Sequence, residues 1–572
     1  MIGARPSSLS ARLTLVVSCL ALAVTGCDGS RNADVRPDAP PITGPAAATR
    51  ARFRDVAAQA KVRFTTRNGV ELGHQSILES LGAGVGLLDY DRDGWVDVFL
   101  PGGGTYSSKP EPVGLSTALF RNRGHGPFED VSAQSAAANC PFYSHGVNVG
   151  DIDSDGFSDL LISGYHGLLL YRNQGDGTFR DDSAEAGLSS TKWSTSTAWG
   201  DANGDGVLDL YVANYVDWSF QKHPVCQVQG HRDICPPKEF DAQSDVFYLG
   251  NGDGTFRDAT AEVGLVPGGK GLGVLAADLD VDGDVDYYVA NDTTPNFLYR
   301  NDGHGRFQEV ALLSGTAFGE TGEAEGSMGV DVGDYNNDGL PDLWVANFEN
   351  QSFALYRNEG DCHFQHVSAI TGITAVGGLF VGFGTVFFDF DADGDEDLFA
   401  TNGHVMNHPS NAPLLQRPLL FENLDGKRFV NVADGAGEYM RSEHLGRGVA
   451  SVDLDQDGAA DLVVSHTNQP VAILKNESLD HGSWLRVRLV GIGSHRDAVG
   501  ARVTVSAGGR KYSKQAKGGS SYLSSPAPEL LFGLAKATKI DAIEVAWPGG
   551  QRQVIAPPAI NSAITIFESA KK

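Results

Sequence analysis

The sequence predicts an all-β chain: a seven-bladed β-propeller whose N-terminal strand closes the last blade, followed by a small β-sandwich-like domain. Three observations carry that prediction. An acidic loop of pattern D-x-[DN]-x-D-G-x-x-D recurs seven times, its starts 62, 50, 77, 56, 55 and 64 residues apart. Short apolar, β-prone runs flank the copies, such as GVGLLD upstream and LDLYVAN downstream. Six copies are followed by a second element of the type LYRNEGDCHFQHV: an apolar pair, a polar pair, a glycine turn and a Phe that opens another strand. It reads as a β-hairpin. Four strands per unit, seven times over, is the strand arithmetic of a propeller.

The seventh unit runs only to AILKNES and lacks its outer strand, while Phe53-Arg54-Asp55-Val56, before the first loop, has the sequence that is missing. The N-terminal segment is therefore expected to complete the last blade and remove an exposed edge. The ring is placed at 53–476, with its main insertion around 217–246. The C-terminal domain is placed at 477–572, where WLRVRLV and ARVTVSA alternate apolar and polar residues.

The 572 residues include 72 Asp and Glu against 44 Lys and Arg, a formal net charge of −28. That balance argues against nucleic-acid binding, because a phosphate backbone requires a basic surface. Glycine at 71 residues and hydrophobics at 41% exclude a disordered acidic polymer and fit short strands joined by tight loops.

Much of the acid sits at four positions of each loop. The candidate ligands are Asp89, Asp91, Asp93 and Asp97; Asp151, Asp153, Asp155 and Asp159; Asp201, Asn203, Asp205 and Asp209; and Asp278, Asp280, Asp282 and Asp286. The last three loops supply Asp334, Asn336, Asp338 and Asp342; Asp389, Asp391, Asp393 and Asp397; and Asp453, Asp455, Asp457 and Asp461. Oxygens at positions 1, 3 and 5 converge, Gly at position 6 permits the sharp turn, and a carbonyl at position 7 adds a ligand. This is the opening logic of an EF-hand, which selects a hard cation with 6–8 oxygen ligands, calcium. The EF-hand Glu at position 12 is absent (Leu100 in the first loop), and Asp at position 9 is expected to close the cage instead. A plain turn is the competing reading. Two carboxylates ~5 Å apart at an effective dielectric of ~20 repel by roughly 3 kcal/mol, which an uncompensated loop would have to carry several times over. Up to seven structural Ca²⁺ are therefore expected, and they would bring the net charge to about −14.

Residues 1–26 read as a lipoprotein signal peptide. Arg5 and Arg12 precede the apolar run Leu13 to Val24, too short to span a bilayer, and Val24-Thr25-Gly26-Cys27 resembles a lipobox with Cys27 as the lipidated residue. Residues 27–52 are Pro- and Ala-rich and read as a tether. A lipid at Cys27 would be the only anchor, on the extracytoplasmic side of a bacterial membrane. In an oxidising compartment Cys226 and Cys235 are expected to form a disulfide; a zinc site with His223 and His231 is the alternative, at a spacing that matches no standard pattern. Cys140 and Cys362 are left without an assigned pairing.

The loops and hairpins together resemble FG-GAP/VCBS repeats, the type that builds the integrin α-subunit propeller. RDAVGARVTV, GGSSYLSS, LLFGL and EVAWPGGQ resemble the ASPIC/UnbV domain. The combination resembles the cartilage acidic protein family, including bacterial members, and implies the propeller and its calcium. Outside the loops His404, with Asn402 and His408 near it, is the best catalytic candidate, although a histidine that merely holds a loop explains it as well. Asn291-Asp292-Thr293-Thr294-Pro295-Asn296 reads as a polar turn, Trp547 as the end of a strand, and GGSSYLSS lacks the Lys and helix of a phosphate loop. Two functions follow. One is a calcium-stabilised, non-catalytic binding or adhesion scaffold on the cell envelope with a protein or glycan ligand. The other is a calcium-dependent, lyase-like envelope enzyme acting on polysaccharide, with His404 or a neighbour beside arginines in the ring's central funnel.

Overall fold

A computed structural model describes residues 49–124 and 126–570, which fall in one compact unit. The signal peptide, Cys27 and most of the tether lie outside the described residues. The chain is all-β and propeller-like. From Gly86 to Asn476 it forms seven four-stranded antiparallel sheets in succession. The second is typical: Ser144–Gly150 innermost, then Asp159–Gly164, Gly167–Asn173 and, outermost, Phe179–Asp181. The two inner strands are buried along their length, because neighbouring sheets cover both faces. The outer strand buries only its Phe.

The last sheet takes its outer strand from the N-terminus as expected: Phe53 pairs with Asn476, Arg54 with Lys475 and Asp55 with Leu474. The fold begins earlier than the expected tether boundary, since Ala51 is buried and the carbonyls of Arg50 and Arg52 accept the Leu479 and Glu477 N–H groups. No single sheet closes on itself. The ring arises because the seven innermost strands are neighbours in sequence order and the seventh, Gly446–Val452, lies beside both the sixth, Gly382–Phe388, and the first, Gly86–Leu88.

The C-terminal domain is a sandwich, as its alternation predicts. Glu529–Gly533, Trp484–Val490 and Ser562–Phe567 form one sheet, with the last two strands parallel. Arg510–Gln515, Arg502–Ala507, Ile540–Ala546 and Arg552–Ile555 form the other. Trp547 is buried and donates its indole N–H to Gln553, 2.9 Å away, so its role is structural.

GGSSYLSS has a role that its sequence does not announce: it leaves the sandwich and fills the centre of the ring. Gly518 N–H donates to the Ala276 carbonyl, and Gly518 O accepts from Trp199. Ser521 pairs with Val330 through both backbone groups, and its Oγ accepts from the Thr385 N–H. Leu523 O accepts from Val147, and Ser525 N–H donates to Val85 O. A single segment thus bonds to the inner edges of six sheets, with Tyr522 fully buried at its apex. The opposite end of the channel is covered by the insertion. Its hairpin, Cys226–Val228 with His231–Asp233, carries the predicted Cys226–Cys235 disulfide and reaches across to the loop after the sixth sheet. There Asp233 accepts the N–H groups of Asn407 and His408.

Candidate metal centre

Each acidic loop joins an innermost strand to the second strand of its sheet, and its conformation is fixed by its own carboxylates. In all seven, one oxygen of the position-1 Asp accepts the N–H of the position-6 Gly, at 2.8–3.2 Å. The position-5 Asp accepts the N–H of position 7. Position 4 is left-handed throughout; in six copies it is not glycine, and in one it is the β-branched Val281 at φ 64°. Such residues are held only where surrounding contacts over-determine them.

Position 9, expected to close the cage, has backbone hydrogen bonds on both of its oxygens. In every loop one oxygen accepts the N–H of position 2 and the other accepts an N–H at the end of the third strand, from Asn122, Asn173, Gly250, Asn301, Asn358, Asn423 or Asn476. The same asparagines, which the sequence reading left without a role, donate their side-chain amides to the position-2 carbonyl of the neighbouring loop. Asn122, for instance, reaches Leu454 and so joins the first sheet to the seventh. Six of the seven junctions are made this way, and the Gly at position 250 accounts for the missing one. Asp461→Ala is expected to cost about 2–6 kcal/mol, because two buried N–H groups lose their acceptor at ~1–3 kcal/mol each. Urea unfolding in chelator isolates this cost from any cation.

The remaining oxygens gather at the loop centres. Carboxylate atoms of Asp89, Asp91 and Asp97, of Asp151, Asp153 and Asp155, of Asp278, Asp280 and Asp282, and of Asp389, Asp391 and Asp397 each lie within 4.8 Å of one another. Asp89 Oδ1, Asp151 Oδ1, Asp391 Oδ2 and Asp455 Oδ1 are buried without a hydrogen bond. Burial raises the carboxyls of Asp151, Asp278, Asp334 and Asp393 to about 7 and that of Asp453 to about 6. Converging, partnerless oxygens whose ionised form is penalised are what a hard cation relieves, so the donor set fits calcium.

Protein cations also press on the ring. From the third strands, Arg121 and Arg172 meet Asp91 and Asp153 at 2.5 Å, Arg300 meets Asp280 at 2.9 Å, and Lys475 meets Asp455. From the C-terminal domain, Arg488, Arg496 and Arg486 approach the position-1 residues Asp89, Asp151 and Asp453 at 3.1–3.4 Å. Arg502 donates to Gly339 O and Gln515 to Asp278 O, both at 2.8 Å. The sandwich therefore lies directly on the acidic loops. A cavity of about 470 Å³ remains between the two, lined by charges of both signs, among them Arg486, Lys514, Asp331 and Glu396.

The other candidates are structural in their contacts. His404 is 1% exposed, its Nδ1 accepts the Met406 N–H at 3.0 Å, its Nε2 lies 3.7 Å from Glu349, and burial lowers its pKa. An arginine does stand beside it, but Arg447 is equally buried; it stacks 3.9 Å from the Phe383 ring centroid and gives its donors to the carbonyls of Ser80, Gly403, His404 and Gly446. Asn402 Nδ2 caps the Arg417 carbonyl. The zinc alternative fails: both sulfurs are committed to the disulfide, and His223 bonds Trp218 and Arg232. In the polar turn, Asp292 accepts from Tyr215 Oη at 2.5 Å and Asn296 accepts from the Asn291 N–H.

Comparison with known proteins places this architecture. The FG-GAP-like repeat model matches residues 89–162, 151–212, 239–289, 278–345 and 334–400, and the ASPIC and UnbV model matches 491–572. Cartilage acidic protein 1 of Mus musculus is 25% identical over 85% of this chain and 74% of its own length, and the Homo sapiens protein is 25% identical over 85% and 72%. Among solved structures, the BP39L lectin from Burkholderia pseudomallei is 9% identical with a TM-score of 0.41, covering 68% of this chain and 94% of its own. The chain belongs to the family that joins FG-GAP-like repeats to a C-terminal ASPIC and UnbV domain.

Proposed function

We propose that this protein is a calcium-stabilised, non-catalytic binding scaffold of a bacterial cell envelope, exported and held to the membrane by lipid at Cys27. The observation that carries the calcium part is the set of buried carboxylate oxygens without partners at the loop centres. The scaffold part is supported by a ring whose channel is filled from one side and covered from the other, which leaves outer surfaces for a protein or glycan ligand. Export is supported by the disulfide, and among the described residues no helix is long and apolar enough to cross a membrane. The lyase reading loses its support where it was most specific, since His404 and Arg447 meet at the ring's centre but are sealed from any polysaccharide.

The loops are not equal. The sixth has Glu422 where the first, second, fourth, fifth and seventh have Arg or Lys; Arg510 and Lys514 pair with its non-ligand residues Asp395 and Glu396, and the cation nearest its four ligand carboxylates is Arg50, 3.9 Å from Asp391. It should hold calcium most tightly. Asp391→Asn is expected to weaken the tightest step of a calcium titration by about tenfold or more, read by competition with a chromophoric chelator. The ligand part is tested by screening glycans and envelope polymers for binding and for release of unsaturated ends. Such release would restore the lyase. Recovery in the soluble rather than the membrane fraction would remove the anchor.

A further inference from the structure

The fourth loop has a neighbour that the other loops lack. In the first six sheets a hairpin turn joins the third strand to the outer one. In sheets one to four the turn position two residues before the Phe is Gly126, Gly177, Gly254 or Gly305, all left-handed. In sheet four this turn lies against the loop of the preceding sheet: a Cβ on Gly305 would stand 3.2 Å from that of Asn203, the third position of loop three. The fifth sheet has Cys362 at this place, also left-handed, at φ 56°. With the backbone so placed, its side chain enters loop four, and Sγ lies within 4.8 Å of carboxylate oxygens of both Asp280 and Asp286.

The thiol is 4% exposed, free, and makes no hydrogen bond. A cation held between the sulfur and the two carboxylates would stabilise the charged form of all three groups. Arg300 offsets part of that charge from the solvent side, its Nε 2.9 Å from Asp280 Oδ2 on a half-exposed side chain, and leaves Asp286 and the sulfur without a cation of their own. A thiolate with two carboxylates is poor for calcium, which takes oxygen ligands, and good for a divalent ion of the zinc type, which takes sulfur at ~2.3 Å and carboxylate at ~2.0–2.2 Å.

We propose that loop four is a mixed sulfur–oxygen site that takes one zinc-type cation through Cys362, Asp280 and Asp286. The thiol gives its proton to solvent as the sulfur–metal bond forms, and Arg300 swings outward to release Asp280. The inference rests on the reading of the loops as cation sites, but only for loop four.

The test is a cadmium titration of the metal-stripped full chain, read by the ultraviolet charge-transfer absorption of a cadmium–thiolate bond. One equivalent should develop the band, zinc should compete for it, and excess calcium should leave it in place. Cys362→Ser should abolish the band while Cys140→Ser keeps it. Asp280→Asn should weaken cadmium binding by at least the ~10–100-fold that loss of an outer-shell partner costs. No band in the native protein, or a band that survives Cys362→Ser, overturns the proposal. Melting Cys362→Ser with and without calcium separates the two readings. A calcium shift that persists beside a missing band sinks only the zinc-type site, and a band without any calcium shift sinks only the calcium reading.

Discussion

Stripping divalent cations should lower the melting temperature of this protein by roughly 10 °C, and millimolar calcium should restore it. The magnitude follows from mass action. At the tight end of extracellular calcium modules, a site with Kd ~10⁻⁴ M contributes ~1.4 kcal/mol at ~1 mM calcium, or about 8 kcal/mol for the six loops other than the fourth and about 10 kcal/mol if all seven take calcium. Unfolding entropy near ~2.1 cal/mol/K per residue gives about 1.1 kcal/mol/K for a folded unit of this length, hence a shift near 10 °C. Differential scanning calorimetry in chelator and in calcium checks it, and an unchanged melting temperature removes the structural-calcium reading.

The same buried carboxylates give the chelated protein a pH dependence of definite sign. Burial raises Asp151, Asp278, Asp334 and Asp393 to about 7 and Asp453 to about 6, against ~3.9 in an unfolded chain. Between those values the folded state holds more protons than the unfolded one. The contribution is therefore full below about pH 4 and is lost as pH rises through about 6–7. In chelator the protein should melt higher at about pH 5.5 than at about pH 8. In saturating calcium the fall should vanish, because the cation stabilises the ionised carboxylates and protons compete with it at the lower pH. Equal melting temperatures at the two pH values in chelator would count against the burial argument.

What could be read from the sequence was what is local. Positions 1, 5, 6 and 9 of the acidic loop fall within nine residues, so spacing alone exposed the loop. The Phe53 strand was legible because it supplies a pattern that the seventh repeat visibly lacks. The disulfide needed only two nearby cysteines and the expectation of an oxidising compartment. Contacts that join distant parts of the chain left no such trace. The asparagine of the LYRN element looks like hairpin punctuation, yet its amide reaches a different sheet. Arg486 and Arg488 read as ordinary polar residues of an alternating strand and Arg496 had no assigned role, and only the docked sandwich brings them to Asp453, Asp89 and Asp151. Cys362 was legible only as a cysteine without an assigned pairing, because its neighbours in loop four lie about 80 residues earlier in the chain.

Gly518→Ala should be among the most damaging single substitutions in the chain, although residue 518 belongs to no strand and touches no acidic loop. A Cβ there would stand 1.6 Å from the Trp199 carbonyl oxygen, a backbone atom that no rotamer change can move aside. Gly84 meets the same segment from the other side of the ring, with its Cβ placed 1.7 Å from Leu523 O. Overpacking alone costs typically ~1–3 kcal/mol, and each buried N–H or carbonyl of the segment that loses its partner adds ~1–3 kcal/mol. Because residues 518–525 bond to six sheets, displacing them should loosen the ring as a whole rather than one blade. Gly518→Ala is therefore expected to lose more than about 3 kcal/mol, to melt several degrees lower even in calcium, and to gain protease cleavage within 516–526. A variant that melts with the native protein and keeps its digestion pattern would show that the segment fills the channel without holding the ring together.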